Sequence, residues 1–154
     1  MDHQACSISG AHEAIACLQR LTEVFQQRRR QLAQAVGLTE HQWAVLEEIT
    51  QEHFMPSMFA RSRQSSAAAV SKTLRQLTEK GLIRSSIAPK DGRQRRYVLT
   101  KRGSTMLDAL RRSREQAVRD VWLGMDAGRV RAFTEFGTEL TKRLEQYARK
   151  VQKE

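Results

Sequence analysis

The sequence predicts a mainly α-helical protein whose only β-structure is one basic hairpin. Three observations carry that prediction. Apolar residues recur at three- and four-residue steps over most of the chain, the spacing that places them on one face of a helix. Residues 82–100 alone read differently, as two short runs rich in aliphatic, β-branched and aromatic residues around the turn-forming "APKDG". The charge is also uneven: residues 61–102 hold twelve Lys or Arg and two acids, Glu79 and Asp91. That surplus of ten equals the formal charge of +10 on the whole chain, so the remainder is neutral.

Over residues 11–36, Ile15, Leu18, Leu21, Phe25, Leu32 and Val36 form an amphipathic stripe that Gly37 ends. Thr39 and Gln42 have the spacing of a capping box and start a second helix with Trp43, Leu46 and Ile49 on its apolar side. Met55-Pro56-Ser57 breaks the chain before a short helix through Met58, Phe59 and Ala60. Ser65 or Ser66 caps the next helix, "AAAVSKTLRQLTEK", which Gly81 stops. "LIRSSIA" and "RRYVLT" are expected to pair as a hairpin around the turn. Thr100 then caps a helix reaching about Leu123, with Leu107, Leu110, Ala117, Val118, Val121 and Trp122 inward. Asp126 caps a last helix carrying Val130, Phe133, Phe136, Leu140, Leu144 and Tyr147.

The chain of 154 residues is expected to be a single domain with a core that needs no staples. Cys6 and Cys17 cannot make a disulfide framework, which points to a reducing compartment and the cytoplasm. Residues 1–20 lack the basic and apolar regions of a signal peptide, and no stretch approaches the ~20 apolar residues of a membrane span.

Two short helices joined by a tight polar turn, with a basic hairpin directly after the second, make a winged helix-turn-helix. One B-DNA major groove admits one helix, and residues in that helix's first turns reach base edges. Ala67 and Ala68 are small enough for close approach and for contact with thymine methyls. Ser71, Lys72 and Arg75 supply donors to bases or phosphates, and the helix N-terminus adds partial positive charge. An ordinary helix with a solvated polar face is the plainer account of such a pattern. Its place inside the basic segment and beside the hairpin favours the DNA reading.

Three stretches resemble the MarR family of multiple-antibiotic-resistance-type regulators. "GLTEHQWAVLEEI" (37–49) is similar to its second helix. "SAAAVSKTLRQLTEKGLIRSS" (66–86) resembles its recognition helix and first wing strand, and "DGRQRRYVLTKRG" (91–103) its wing. The likeness covers about 65 central residues. It implies a homodimeric double-stranded-DNA-binding transcriptional regulator, usually a repressor, acting on a palindromic operator. Residues 1–36 and 104–154 would be dimerisation helices and 38–103 the DNA-binding lobe. Carried over by position, Ser66 caps the recognition helix while Ala67, Ala68, Ser71 and Lys72 face DNA. Asp91 would buttress Arg93 in the minor groove, with Lys90, Arg95 and Arg96 nearer the phosphates. Arg63-Gln64-Ser65 departs from the family pattern of an apolar residue, Gly and a β-branched residue, so a looser or rebuilt turn is expected there.

Other readings compete. No phosphate loop, metal cluster or nucleophile motif marks an enzyme or a cofactor site, and His3, His12, His41 and His53 have no ligand spacing. A winged helix that only binds proteins does not need a basic helix and a basic wing together. The resemblance also implies a small aromatic or anionic ligand between dimer helices and lobe, for which Trp43 is either a wall or ordinary core. Some relatives sense peroxide through a first-helix cysteine; here Cys17 is expected to be a small buried hydrophobe instead.

Overall fold

A computed structural model describes residues 6–51, 54–88 and 91–152, with residues 88 and 91–94 described by backbone alone. Helix α1 (Ile8–Ala35) begins three residues before the apolar stripe because Ser7 caps it, its hydroxyl accepting the Gly10 N–H at 3.1 Å. It ends on Gly37 at φ 73°. There the Leu38 N–H donates to the Ala33 carbonyl and the Gly37 N–H to Gln34, both at 2.9 Å, a Schellman stop. In α2 (Glu40–Ile49) the capping box forms as its spacing requires, with Thr39 and Gln42 exchanging two 3.1 Å bonds. Pro56 does not merely break the chain: it occupies the first turn of α3 (Pro56–Ser62), where its missing N–H costs nothing.

Ser66, not Ser65, caps α4 (Ala67–Glu79), its hydroxyl accepting the Ala69 N–H at 3.1 Å. Gly81 at φ 68° stops this helix as Gly37 stops α1. Strands β1 (Ile83–Ala88) and β2 (Asp91–Leu99) pair antiparallel from Ile83 opposite Leu99 to Ile87 opposite Arg95. The register then shifts, bringing Ala88 against Asp91, so β2 starts where the composition suggested a turn. An irregular pairing tolerates Gly92 where a regular one would not.

Thr100 ties the hairpin to the next helix. Its N–H donates to Leu82 at 3.0 Å and its hydroxyl to the Gly81 carbonyl at 2.7 Å, while the same oxygen accepts the Gly103 N–H at 3.1 Å. Helix α5 (Lys101–Trp122) starts there, so close to the hairpin that a Cβ on Gly103 would lie 2.0 Å from the Leu82 carbonyl oxygen. Helix α6 (Ala127–Val151) is capped by Asp126, which accepts the Arg129 N–H at 2.9 Å.

The chain divides into two compact units, Met1–Ser113 and Arg114–Glu154. The buried core of the described residues lies in the first, between Ala33 and Leu110. Trp43, Leu46, Phe59, Val70, Leu77, Leu82 and Leu107 are nearly inaccessible within it. The second unit holds the end of α5 and all of α6, in which no described residue is buried. Val118 and Val121, expected inward, are exposed, as are Phe133, Phe136, Leu144 and Tyr147. The front of α1 behaves alike, with Ile15 and Phe25 more than half exposed. A periodic stripe states that a helix buries one face, not that its own chain covers it. Cys17 is corrected for the same reason, being exposed with Cys6 rather than buried. Among the described residues no helix is long and apolar enough to cross a membrane.

Candidate nucleic-acid interface

Helix α4 is amphipathic in a way that sorts its residues by task. Val70, Thr73, Leu74 and Leu77 are buried. Ser66, Ala67, Ala68, Ser71, Lys72 and Arg75 are exposed together on the opposite side. The structure thus assembles six of the expected contact residues on one face that begins at the capped helix N-terminus. The helix carries no acid before Glu79, so its exposed face is positive or neutral over the first three turns.

Two side chains hold that face in place. The buried Gln42 closes the capping box through its carbonyl and donates its amide N–H to Gln76 of α4 at 3.1 Å. Lys80, at the end of α4, donates to the Gly37 carbonyl at 2.9 Å. Neither bridge was legible in the sequence. The capping box revealed one bond of Gln42, but its second joins positions 34 residues apart, which no local pattern marks. Arg29 of α1 fastens the other side: its guanidinium lies 4.3 Å from the Trp43 ring centroid and 3.5 Å from Glu47. Trp43 is therefore core, 1% exposed.

On the hairpin, Arg95 and Arg96 are both exposed. Consecutive strand residues point to opposite faces, so the ribbon presents a guanidinium on each side. Ile87, opposite Arg95, is 70% exposed, as a projecting ribbon requires. Asp91 and Arg93 belong to the backbone of β2, but their side chains lie outside the described residues, as does Lys90 entirely. His3 and His53 also lie outside them; His12 is exposed, and His41 packs on Phe59 at 5.8 Å between centroids. Among the described residues no group of His, Cys, Asp or Glu could hold a metal ion.

A capped helix offering small and basic residues, followed by a basic hairpin, is the winged helix-turn-helix, and its sequence agrees. Residues 36–94 match the MarR family model. The matched segment spans α2 to β1 and enters β2. The crystal structure of a MarR family transcription regulator superposes with a TM-score of 0.82 at 20% identity, over 92% of this chain and 94% of that one. The Staphylococcus aureus MepR–DNA complex gives 0.66 at 17% identity, over 90% and 96%. S. aureus MarR in complex with salicylate and kanamycin gives 0.74 at 15% identity, over 88% and 93%. At these identities the likeness is one of fold. No curated protein matches the sequence.

Proposed function

We propose that the protein is a homodimeric, sequence-specific double-stranded-DNA-binding transcription regulator, a cytoplasmic repressor released by a small ligand. One observation carries the reading: α4 exposes Lys72 and Arg75 beside the small Ala67, Ala68 and Ser71, and the hairpin that follows it exposes Arg95 and Arg96. Helix α4 would enter a major groove, with Ala67 and Ala68 against thymine methyls and Ser71, Lys72 and Arg75 on bases or phosphates. The wing would follow the adjacent minor groove, Arg93 inserted and Arg95 and Arg96 on phosphates. MepR, a structural neighbour, is bound to DNA in its complex, which supports this use of the fold.

In this reading residues 1–36 and 104–154 are dimerisation helices and 38–103 the DNA-binding lobe. Two copies related by a two-fold axis would cover each other's exposed apolar stripes and read a palindrome. The neighbouring S. aureus MarR is complexed with salicylate. A comparable ligand has a candidate place here, an open groove of about 670 Å³ between the end of α1 and the start of α5. Val36, Met106 and Ala109 give it an apolar floor, and Lys101 and Arg102 a cationic rim suited to a carboxylate.

The test is selection of duplexes from a randomised pool, with titration of the winner against salt. An enriched palindrome, and a log–log slope of about −0.9 per phosphate neutralised, are expected. Equal binding to heparin and duplex, with no enriched sequence, would instead mark a protein-interaction module with a basic surface.

A further inference from the structure

Helices α1, α3 and α4 end with the same pair of backbone bonds. In α3 the Ser65 N–H donates to Ala60 at 2.8 Å and the Gln64 N–H to Arg61 at 3.3 Å. Each stop places one residue in the left-handed region. In α1 and α4 that residue is glycine; in α3 it is Gln64, at φ 50° the only non-glycine residue at positive φ among those described. Left-handed backbone strains a residue that has a Cβ, and glycine would make this turn at less cost. Gln64 is exposed, so burial of its side chain does not offset the strain. A strained residue whose side chain is exposed suggests a contact outside its own fold.

The surroundings indicate what that contact is. The turn joins α3 to the cap of α4. In a helix-turn-helix the first helix crosses the DNA backbone while the second enters the groove. The connecting turn therefore lies over the strand at the groove's edge. Arg61, on the last turn of α3, is exposed, and so is Arg63, whose guanidinium stands 5.7 Å from the Phe59 ring centroid. No Asp or Glu occurs anywhere from residue 54 to residue 78, so nothing in this segment repels a phosphate.

We propose that Gln64 and Arg61 form a further DNA contact, on the sugar-phosphate backbone beside the groove that α4 enters. The Gln64 amide donates to a phosphate oxygen and Arg61 supplies charge, fixing how deep and at what angle α4 sits. The inference rests on the DNA-binding reading above and adds a third anchor to recognition helix and wing.

The decisive variant is Gln64→Gly, because fold and function pull it in opposite directions. Its unfolding temperature should equal or exceed that of wild type. Its affinity for the duplex selected by the wild-type protein should fall about three- to tenfold, the worth of one hydrogen bond. Gln64→Asn, which keeps an amide and tolerates left-handed backbone, should retain part of that affinity. Arg61→Ala should weaken selected and random duplexes alike and reduce the salt slope by about one phosphate. Full affinity in a stable Gln64→Gly protein overturns the proposal while leaving DNA binding intact, and so does a loss of stability in that variant. If the wild-type protein binds no duplex at all, the DNA-binding reading falls and this contact with it.

Discussion

Gly103 shows how one missing side chain fixes a junction. A Cβ there would lie 2.0 Å from the Leu82 carbonyl oxygen, and that atom is backbone, already held by the Thr100 N–H. It cannot step aside without opening the join between hairpin and α5. Gly103→Ala is accordingly expected to destabilise the fold by about 1–3 kcal/mol, the usual cost of overpacking, seen as a lower midpoint in urea. Gln42 is the second such residue. Its amide satisfies the Thr39 N–H and reaches Gln76 from a buried position. Gln42→Ala leaves both partners short of a bond and should cost about 1–3 kcal/mol. An unchanged midpoint in that variant would mean that water replaces the bridge.

Among the elements, the hairpin makes the clearest separate claim. As a wing it should divide its charges between specific and general binding. Arg93→Ala is expected to cost about 1–3 kcal/mol on the selected duplex and to relax A·T preference at its flanks. Arg95→Ala should weaken every duplex about equally. Asp91→Ala separates two physical accounts, because removing a negative charge should tighten binding if only net charge matters. If Asp91 holds Arg93 through a charge-assisted bond, the same substitution should weaken specific binding without altering the unfolding midpoint. Titration of all three on selected and random duplex at one salt concentration decides between them.

For the whole molecule, the question is what covers the exposed apolar residues of α1, α5 and α6. Phe25, Val121, Phe133, Phe136 and Leu144 each stand about half exposed or more. Large rings and aliphatic chains in such numbers are unusual on a surface with no partner. A two-fold dimer built on these helices is expected by sedimentation at micromolar concentration. Phe136→Glu, which would place a charge on the stripe of α6, should shift the protein toward monomer and lower its affinity for the selected duplex together. A wild-type monomer at the same concentration, still binding that duplex, would show that the stripes serve something else.

The parts of the fold and their order were legible along the chain. Caps and stops are local chemistry: Thr39 with Gln42, Ser66, Thr100 and Asp126 begin helices in the structure where their side chains reach the free N–H groups, and Gly37 and Gly81 end them. The division of α4 into a buried side and an exposed one was legible for the same reason, since a 3.6-residue period is written along the chain. The start of β2 was not, because Asp91 and Gly92 favour a turn locally and only pairing with β1 draws them into the strand. The inward expectation for Val118 and Val121 failed because a period fixes which face is apolar and not what meets it. Gln64 is the sharpest case. The resemblance marks its position as one where the family has a glycine, but glutamine itself does not announce left-handed backbone, and the geometry becomes visible only once α3 ends and Ser65 bonds back to Ala60. Bridges such as Gln42 to Gln76 and Lys80 to Gly37 join positions 34 and 43 residues apart. The tertiary structure decided them, since only packing brings such distant polar groups within hydrogen-bond reach.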